Sequence, residues 1–383
     1  MNKKKIALFH PWIKSKGGAE KVVLEILKSK KYDIDLYTWV YDEENTFKEF
    51  KKFKINVIAP KLAKRLSRLH ILRGLFLPIT LFSKIPLEKY DFLLISTSGM
   101  GELITLRNRI KGKTYAYVHT ILRDAYKEIV PWNLKYRYKN PLSKPIYLLA
   151  VKIYRSFEKI AWKRIDYALF NSELSLERAQ KHNLLENKKF KVIYPPVDVK
   201  GFGNLKTKKG DYFLYVSRLN PPKRQDLLIK AWSEFVKENP KYKLILMGNI
   251  ENKKYFEKLK KLSKKTKNVF IKTNVKDEEF MRIYKDCLAG IYIPFMEDFG
   301  IVPFEFLAMG KPLIATNKGG YFNLIKKYPN FYEIKEKSSE DEMINEIQKS
   351  LNNFLKDKKK KKKSTILTVS TQKFINSFEE LFR

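Results

Sequence analysis

The sequence predicts an α/β protein made of two successive doubly wound domains, each built on a parallel sheet. The first observation is that short runs rich in β-branched and aromatic residues alternate with longer amphipathic runs, a pattern typical of strand–helix–strand units. The second is that this alternation restarts after about residue 200. The third is the length of 383 residues, which at roughly 150 residues per domain accommodates two or three domains.

The predicted strands and helices follow one another along the chain. Strands are predicted at 5–10, 33–39, 54–60, 91–97, 114–120, 167–172, 191–198, 212–218, 242–248, 269–273, 288–294 and 311–316. Helices are predicted between them, at 18–29, 154–165, 172–182, 224–238, 253–265, 277–286, 303–309 and 340–356. Because neighbouring parallel strands need a long crossover connection, this order predicts parallel sheets covered by helices on both faces.

A linker is predicted near residue 200, where YPPVD is followed by the polar stretch KGFGNLKTKKGD. We therefore expect an N-terminal domain over 1–198, a C-terminal domain over 199–363 and a closing helix over 364–383. Open parallel sheets bind their ligands beyond the carboxyl ends of the strands. Two such domains would face a central cleft lined by the loops of both sheets.

The composition indicates a globular protein that attracts anions. Hydrophobic residues make up 44% of the chain, and the formal charge is +38, from 79 Lys and Arg against 41 Asp and Glu. A positive field of this size attracts nucleic acid, acidic lipid or phosphorylated small molecules without choosing among them. The single cysteine, Cys287, and four scattered histidines show no metal-ligand spacing. We therefore expect no metal site and a reducing, cytoplasmic setting.

No transmembrane segment or signal peptide is predicted. The first residues, MNKKKIALFHPW, have too short an apolar run before the proline and predict a first strand. Residues 61–85 break the general pattern because several basic residues accompany a leucine-rich face. Two interpretations of this segment stand open. It is either a helix whose apolar stripe packs on the sheet, or a helix in peripheral contact with the inner face of an anionic cell membrane.

Two short motifs in the first domain each have a structural and a functional interpretation. Gly17 and Gly18 stand where the first helix is predicted to begin. They form either a plain turn or a close backbone approach to a phosphate or an acceptor hydroxyl at the helix N-terminus. Asp33 and Asp35 resemble an Asp-x-Asp metal motif, but they lie in an alternating strand, which favours a structural role.

A pair of basic residues marks the first strand-to-helix turn of the second domain. In SRLNPPKRQD, Arg218 follows the strand and Lys223 lies about where the next helix begins. Two cations at such a turn can neutralise a diphosphate, which is the leaving group of a nucleotide sugar. Because Lys and Arg are about a fifth of the chain, an accidental pair is the competing interpretation.

The stretch EDFGIVPFE contains two glutamates, Glu297 and Glu305, with Gly300 and Pro303 between them. Glu297 is predicted in the loop after the strand at 288–294. Pro303 is suited to the first helical position, which would put Glu305 in the first turn. Glu305 then either stabilises the helix dipole or forms, with Glu297, a pair of carboxylates that accept hydrogen bonds from a bound nucleotide sugar. The spacing by itself leaves both interpretations open.

With these residues in order, the sequence resembles the retaining glycosyltransferases of the GT-B fold, in the large glycosyltransferase group four. GGAEKV resembles the N-terminal glycine loop of that family, and YVHT with Arg123 and then ALFNSE resemble its middle segment. VIYPPVD matches the domain junction, and VSRLNPPKRQDLLIKAW matches the basic pair. FMEDFGIVPFEFLAMGKPLIATNKGG matches the Glu-x7-Glu motif. YPPVD, KRQDL and EDFGIVPFE are most similar to GDP-mannose-dependent mannosyltransferases that build cell-surface glycans.

The resemblance implies a role for each matching residue, with the acceptor on the N-terminal domain and the nucleotide sugar on the C-terminal domain. Arg218 and Lys223 would hold the donor diphosphate, and Glu297 and Glu305 would contact the transferred sugar and the nucleotide ribose. The implied catalytic residues are His119, Arg218, Lys223 and Glu297. The implied donor-binding residues are Gly18, Gly300, Ile301, Val302 and Glu305. The implied acceptor-side residues are Gly17 and Arg123.

The implied activity is that of a metal-independent hexosyltransferase without a cofactor. The resemblance favours transfer of α-mannose from GDP-mannose to a glycan or a lipid-linked acceptor. A UDP-hexose-dependent enzyme of the same fold is one alternative, since it would carry the same motifs. A basic nucleic-acid-binding protein is another, suggested by charge alone. The sequence lacks zinc spacing, an RRM-like aromatic pair and a recognisable helix-turn-helix, so we expect no nucleic-acid partner.

Overall fold

The computed structural model describes residues 3–59, 76–138, 140–197, 210–357 and 369–382. The chain folds as two compact units, one formed by Met1–Pro196 with Gln372–Arg383 and the other by Val197–Thr371. Each unit is an α/β domain with its own parallel sheet, as predicted. The linker expected after residue 198 and the beginning of the closing helix fall on 198–209 and 358–368, outside the described residues.

The first unit contains the larger sheet. Its strands are β1 (Lys5–Phe9), β2 (Trp12–Ile13), β3 (Asp33–Thr38), β4 (Val40–Tyr41), β5 (Ile55–Val57), β6 (Phe92–Thr97), β7 (Thr114–Val118), β8 (Tyr167–Phe170) and β9 (Lys189–Val192). Seven of them form a parallel sheet in the order β5-β3-β1-β6-β7-β8-β9, and β2 pairs with β4. Every residue of β6 is buried, as expected for a central parallel strand covered on both faces. β9 ends at Val192, so the segment 191–198 is only in part a strand.

The helices of the first unit connect these strands. They are α1 (Gly18–Leu27), α2 (Phe76–Phe82), α3 (Val130–Tyr136), α4 (Ser143–Lys163) and α5 (Glu173–Lys181). The prediction for α4 was wrong at its beginning, because the helix starts at Ser143 and not at residue 154. The first turns expose Ile146, Leu148 and Leu149 and bury Tyr147 on the other side, so apolar residues on both faces hide the helical periodicity on which the prediction depends.

Residues 61–85 are described only in their last part. The positions 60–75 lie outside the described residues, so the two interpretations of this segment both stay open. Within the remainder, α2 leaves Leu81 44% and Phe82 81% exposed. Among the residues that the structure describes, no helix combines the length and the apolar character needed to cross a membrane.

The second unit has a sheet of six strands. They are β10 (Tyr212–Val216), β11 (Lys243–Met247), β12 (Val269–Lys272), β13 (Ala289–Tyr292), β14 (Leu313–Thr316) and β15 (Phe331–Ile334). The order β12-β11-β10-β13-β14-β15 puts β10 beside β13 at the centre, and all pairs are parallel. The sequence pattern missed β15 because this short edge strand buries only Ile334.

The helices of the second unit largely follow the predicted bounds. They are α6 (Gln225–Glu238), α7 (Lys253–Lys265), α8 (Asp277–Asp286), α9 (Ile301–Ala308), α10 (Phe322–Ile325) and α11 (Glu340–Lys356). The prediction that a helix begins at Pro303 was wrong. Gly300 adopts a left-handed conformation with φ of 82° and caps the helix, so α9 begins two residues earlier, at Ile301.

The last helix, α12 (Thr371–Glu380), packs on the first unit. Phe374 and Phe378 are 2% exposed and belong to the core that also contains residues of β1. The Tyr32 hydroxyl donates to the backbone carbonyl of Glu379 at 2.6 Å. Burial of these two phenylalanine rings stabilises this helix, since each fully buried side chain contributes about 1.5–3 kcal/mol.

Candidate active site

The loops after β10, β11 and β13 emerge side by side at one edge of the second sheet. The strands are parallel and adjacent in the order β11-β10-β13, so their carboxyl ends meet at the same edge. The loops span 217–224, 248–252 and 293–300. Arg218 and Lys223 lie in the first of them. This edge is where open parallel sheets bind their ligands.

Lys223 and Glu297 are brought together by two of these loops. The backbone N–H of Phe295 donates to the carbonyl of Pro222 at 2.8 Å, which joins the loop after β13 to the loop after β10. Lys223 Nζ lies 2.5 Å from Glu297 Oε2, and the side chains are 16% and 21% exposed. The Tyr215 hydroxyl donates to the Lys223 carbonyl at 2.5 Å. The ion pair is therefore partly shielded from water and held in place by backbone contacts.

Buried tyrosines lie near the Glu297 carboxylate. Burial raises the pKa of Tyr215, Tyr292 and Tyr321, and the negative charge of Glu297 raises it further. These phenols are therefore protonated at neutral pH. Tyr292 also forms a hydrogen bond with the Glu297 side chain. The carboxylate is thus positioned by an ammonium group on one loop and by a phenol on β13.

Gly300 is required by the geometry of the loop. Its φ is 82°, and a Cβ at this position would lie 2.7 Å from Tyr321 Cδ1 and 3.1 Å from Tyr292 Cε1. Any other residue would therefore be strained and would clash. Because α9 begins immediately afterwards, the backbone N–H groups of Ile301 and Val302 are among those that have no acceptor within the helix. Such groups can donate to a phosphate or a hydroxyl.

Arg218 is paired with a residue of the loop after β11. Its Nη1 lies 2.9 Å from Glu251 Oε1, and the two side chains are 51% and 37% exposed. Asn220 Nδ2 donates to the other oxygen of the same carboxylate. Gly248 lets the two loops approach, since a Cβ there would lie 1.9 Å from the carbonyl oxygen of Ser217. Arg218 and Lys223 are therefore neighbours along one loop but engage different carboxylates.

Arg224 is a third basic residue of this loop that the sequence did not single out. It has a left-handed backbone with φ of 57°, between the turn that contains Lys223 and the start of α6. Its guanidinium lies 2.7 Å from Glu336 and 4.7 Å from the centre of the Phe295 ring. These contacts orient the loop. No local signal distinguishes this arginine, because Glu336 is distant in sequence.

Glu305 lies in the second turn of α9 and not in the first. The first turn contains no acidic residue, and the dipole effect of a helix falls off beyond its first turn. The interpretation of Glu305 as a first-turn charge is therefore wrong. The hydroxyl of Tyr284, which is fully buried on α8, donates to Glu305 Oε2 at 3.0 Å. Glu305 is half-buried and has its carboxylate oriented by this phenol.

In the first unit, Gly17 is the N-cap of α1 and Gly18 is its first residue. A Cβ on Gly17 would lie 2.4 Å from Glu20 Oε2. The Glu20 side chain is buried and accepts a hydrogen bond from Ser15 Oγ at 2.8 Å. The double glycine therefore has a structural reason at Gly17, which makes room for a buried carboxylate. The ligand-binding role of both glycines stays a prediction.

His119 belongs to a buried chain of three polar side chains at the carboxyl ends of β1, β6 and β7. His119 Nε2 lies 2.8 Å from Ser96 Oγ, which lies 3.0 Å from His10 Nδ1. His10 Nδ1 is also 3.1 Å from the Ser96 carbonyl. Burial lowers the pKa of His119 to about 3 and that of His10 to about 4. Both rings are therefore neutral near pH 7.

One arrangement of protons satisfies all of these contacts. In it, His10 carries its proton on Nδ1 and donates to the Ser96 carbonyl, which only accepts, and Ser96 Oγ donates to His119 Nε2. The neutral His119 ring in this arrangement carries its proton on Nδ1. His10 and Ser96 were not among the predicted residues, although His10 directly follows β1 and Ser96 is next to the last residue of β6, at the edge where parallel sheets bind their ligands.

Arg123 begins a single turn, Arg123–Ala125, in the loop after β7, and its side chain is half-buried. The loop passes close to Gly99, where φ is 84° and a Cβ would lie 2.8 Å from Leu122 Cα. Arg123 and His119 thus share a loop of the first unit.

Asp35, from the Asp-x-Asp motif, accepts a hydrogen bond from Tyr90 at 2.6 Å. Within the described part of the chain, no group of three or more His, Cys, Asp or Glu side chains could hold a metal ion.

Comparison with known proteins finds a family match in the second unit and relatives that align with most of the chain. Residues 198–366 match the family model of glycosyl transferases group 1. The human GDP-Man:Man(3)GlcNAc(2)-PP-Dol alpha-1,2-mannosyltransferase is 23% identical over 362 residues, which covers 83% of this chain and 73% of that protein. Alpha-1,3/1,6-mannosyltransferase ALG2 of Saccharomyces cerevisiae is 26% identical over 379 residues, with 85% and 72% covered.

Two solved structures share the fold of the whole chain. Anabaena Alr3699/HepE in complex with UDP and glucose superposes with a TM-score of 0.69 at 16% identity and covers 99% of both chains. WaaG, a glycosyltransferase involved in lipopolysaccharide biosynthesis, has a TM-score of 0.64 at 16% identity and covers 91% of this chain and 90% of its own. At 16% identity, the similarity to these two structures shows the fold of this chain alone.

Proposed function

We propose that this chain, a glycosyltransferase of the GT-B fold, transfers α-mannose from GDP-mannose to a glycan or lipid-linked acceptor with retention at the anomeric carbon. Two mannosyltransferases align with more than four fifths of the chain, which supports mannose as the sugar. The observation that carries the proposal is the Lys223–Glu297 pair. It sets a cation for a diphosphate beside a carboxylate for sugar hydroxyls, at the ligand-binding edge of the second sheet.

The donor diphosphate is assigned to Arg218 and Lys223. An ammonium group has three donors and a guanidinium has five, so both can bind phosphate oxygens while they keep contact with Glu297 and Glu251. The first backbone N–H groups of α9, beginning with that of Ile301, add further donors that carry partial positive charge. When the bond between the anomeric carbon and the diphosphate breaks, the electron pair passes to a phosphate oxygen. Each well-placed donor stabilises that charge by on the order of 3 kcal/mol.

The sugar and the ribose are assigned to the two glutamates. Glu297 accepts hydrogen bonds from hydroxyls of the hexose, next to the protonated phenol of Tyr292. Glu305 accepts hydrogen bonds from the ribose hydroxyls, with its carboxylate oriented by Tyr284. Neither glutamate acts as a nucleophile in this proposal, since retention follows from attack on the face that the diphosphate leaves. The proton of the acceptor hydroxyl passes to the departing phosphate.

The first unit supplies the acceptor side. His119 is neutral and is assigned the tautomer with its proton on Nδ1, in which it serves as a hydrogen-bond donor and not as an acid. Arg123 shares its loop, and Gly17 and Gly18 begin a helix whose first amides can approach a hydroxyl or a phosphate. A lipid-linked acceptor places the enzyme at the inner face of the membrane, with residues 61–85 as one expected contact. No metal ion or cofactor takes part, because the basic side chains and helix amides balance the diphosphate charge.

Donor binding tests the proposal. Calorimetric titration with GDP-mannose, GDP, UDP-glucose and UDP would be made on the wild type and on Lys223→Ala and Glu305→Ala. We expect GDP-mannose to bind most tightly, and each variant to lose at least tenfold in affinity, as removal of a hydrogen bond to a charged group predicts. Lys243→Ala is the matched control, because Lys243 pairs with Asp211 at the opposite end of the same sheet.

Three results would contradict parts of the proposal. Preference for UDP-glucose over GDP-mannose, with turnover of that donor, would refute the mannose assignment and favour the UDP-hexose alternative. Unchanged affinity in both Lys223→Ala and Glu305→Ala would refute the site. Salt-sensitive binding of DNA without affinity for any nucleotide sugar would refute the activity.

A further inference from the structure

The outward face of α4 is apolar. Its inward face buries Tyr147, Glu158, Ala161 and Trp162. On the opposite side stand large aliphatic residues at spacings of four, three, four and seven, which at about 100° per residue form one stripe along the helix. They are Leu142, just before the helix, and then Ile146, Leu149, Ile153 and Ile160, with exposed fractions of 75%, 69%, 58%, 43% and 51%. A surface helix normally has polar residues on this side.

More than half of the other exposed residues of α4 are basic. They include Lys144, Lys152, Arg155, Lys159 and Lys163. The one acidic residue in the helix sequence, Glu158, is 1% exposed and accepts hydrogen bonds from Tyr126 and Tyr154. Lys152, Lys159 and Lys163 lie along one edge of the apolar stripe, about 60–100° around the helix from it. The helix thus combines an exposed apolar stripe with a cationic edge.

A basic hollow adjoins this edge. It has a volume of about 240 Å³ and is lined by Arg155 and Lys159 of α4 together with Lys127, Lys181 and His182. Lys181 and His182 both contact Glu128, so the uncompensated positive charge comes from the other three. The Arg155 guanidinium stands over the Tyr126 ring at 5.1 Å, which holds it at the rim. A phosphate group of a lipid would find cations here.

We propose that α4 binds in the plane of an anionic lipid bilayer, with its apolar stripe inserted at the boundary between headgroups and acyl chains. The lysine edge and the hollow then lie at the level of the phosphates. A second copy of the chain is the competing occupant. Self-association would set two basic faces against each other without an exposed carboxylate on α4 to offset them. Anionic lipid supplies both the apolar layer and the opposite charge.

Vesicle sedimentation tests the proposal without nucleotide sugar, so its outcome does not depend on the proposed donor. We expect the wild type to bind phosphatidylglycerol–phosphatidylcholine vesicles, to bind pure phosphatidylcholine vesicles weakly and to dissociate at high salt. Lys152→Glu/Lys159→Glu/Lys163→Glu should lose binding on the order of a hundredfold. Ile146→Ser/Leu149→Ser/Ile153→Ser should lose it at least tenfold. These side chains are exposed, so the fold is expected to remain, which circular dichroism and urea unfolding would verify.

Matched controls separate this surface from the general charge of the chain. Lys254→Glu/Lys261→Glu/Lys265→Glu changes the charge equally on α7, where these lysines are exposed. Val57→Ser/Phe190→Ser/Phe270→Ser removes apolar side chains that are 53%, 44% and 47% exposed elsewhere. Both control variants should bind vesicles like the wild type. Equal loss in the controls, or unchanged binding in the two α4 variants, would overturn the proposal.

A fluorescent reporter distinguishes insertion from self-association. The single cysteine, Cys287, is 1% exposed, so Leu149→Cys provides a selective attachment point for an environment-sensitive dye. We expect a blue shift of its emission with phosphatidylglycerol vesicles and a monomer by light scattering in their absence. A dimer that the serine variant dissociates, with no shift on vesicles, would assign the stripe to a second copy and overturn the proposal.

Discussion

The Lys223–Glu297 pair allows catalysis to be separated from stability. Lys223→Met removes the ammonium group from a carboxylate that is only 21% exposed, which costs on the order of 1–3 kcal/mol of unfolding free energy. Glu297→Gln leaves the lysine without its charged partner and should cost a similar amount. The double variant removes both charges and should recover most of the stability. Urea unfolding measures these free energies.

In these single and double variants of Lys223 and Glu297, kcat should not recover together with the free energy of unfolding. If Lys223 stabilises the departing diphosphate, its loss lowers kcat by about a hundredfold to a thousandfold, and the double variant stays equally impaired. The control is the same cycle on Lys243 and Asp211, whose side chains are 46% and 53% exposed. That pair should contribute about 1 kcal/mol or less and leave kcat unchanged. Recovery of kcat in the Lys223→Met/Glu297→Gln variant would refute the catalytic role and leave a purely structural ion pair.

Four further results are expected. Tyr284→Phe keeps the ring but removes the donor to Glu305, so GDP affinity by calorimetry should fall about tenfold; an unchanged value would argue against a ribose contact. Gly300→Ala forces an L-residue into φ of 82° against a tyrosine ring and should cost on the order of 1–3 kcal/mol by urea unfolding. Burial lowers the pKa of His119 from 6.5 to about 3. The contribution of the neutral ring to the free energy of unfolding is therefore complete above pH 6.5 and is lost as the pH falls below that value. His119→Asn should show a shallower decline in unfolding free energy between pH 7 and pH 5. Burial first, and then a neighbouring carboxylate, raise the pKa of Glu158 from 4.5 to about 8. The contribution of Glu158 to the free energy of unfolding is therefore greatest below pH 4.5 and falls as the pH rises towards 8. The stability advantage of Glu158→Gln over the wild type should grow across that range, and a constant difference would contradict the raised pKa.

Local periodicity accounts for the elements that were predicted well. The bounds of α7, α8 and α11 agree with the prediction because each of these helices has one apolar stripe facing the core and a charged outer face. The pattern failed for α4, where apolar residues occur on both faces. It also failed for β15, where little is buried. A prediction from the hydrophobic pattern assumes that apolar residues are buried and lie on one face. The burial of residues in α4 and β15 does not follow that assumption.

The candidate site was predictable in its positions but not in its contacts. The loop placement of Lys223 and Glu297 follows from the strands before them, and the motifs single out both residues. Their direct contact depends on β10 lying beside β13 in the sheet. The order of strands in a sheet cannot be predicted from local sequence patterns. The second-turn position of Glu305 depends on the left-handed Gly300, which starts α9 two residues before the proline that signalled a helix.

The amino-acid sequence by itself determined the α/β class and the two successive domains and singled out the residues proposed to carry the chemistry, because hydrophobic periodicity and short motifs are local properties. Tertiary structure alone decided the partners of those residues: Glu251 for Arg218, Tyr284 for Glu305 and the His10–Ser96 chain for His119. It also decided that the leucines and isoleucines of α4 face outward. An apolar residue in a helix is more stable in nonpolar surroundings than in water. Only the packing of the whole chain shows whether the protein's own core provides those surroundings.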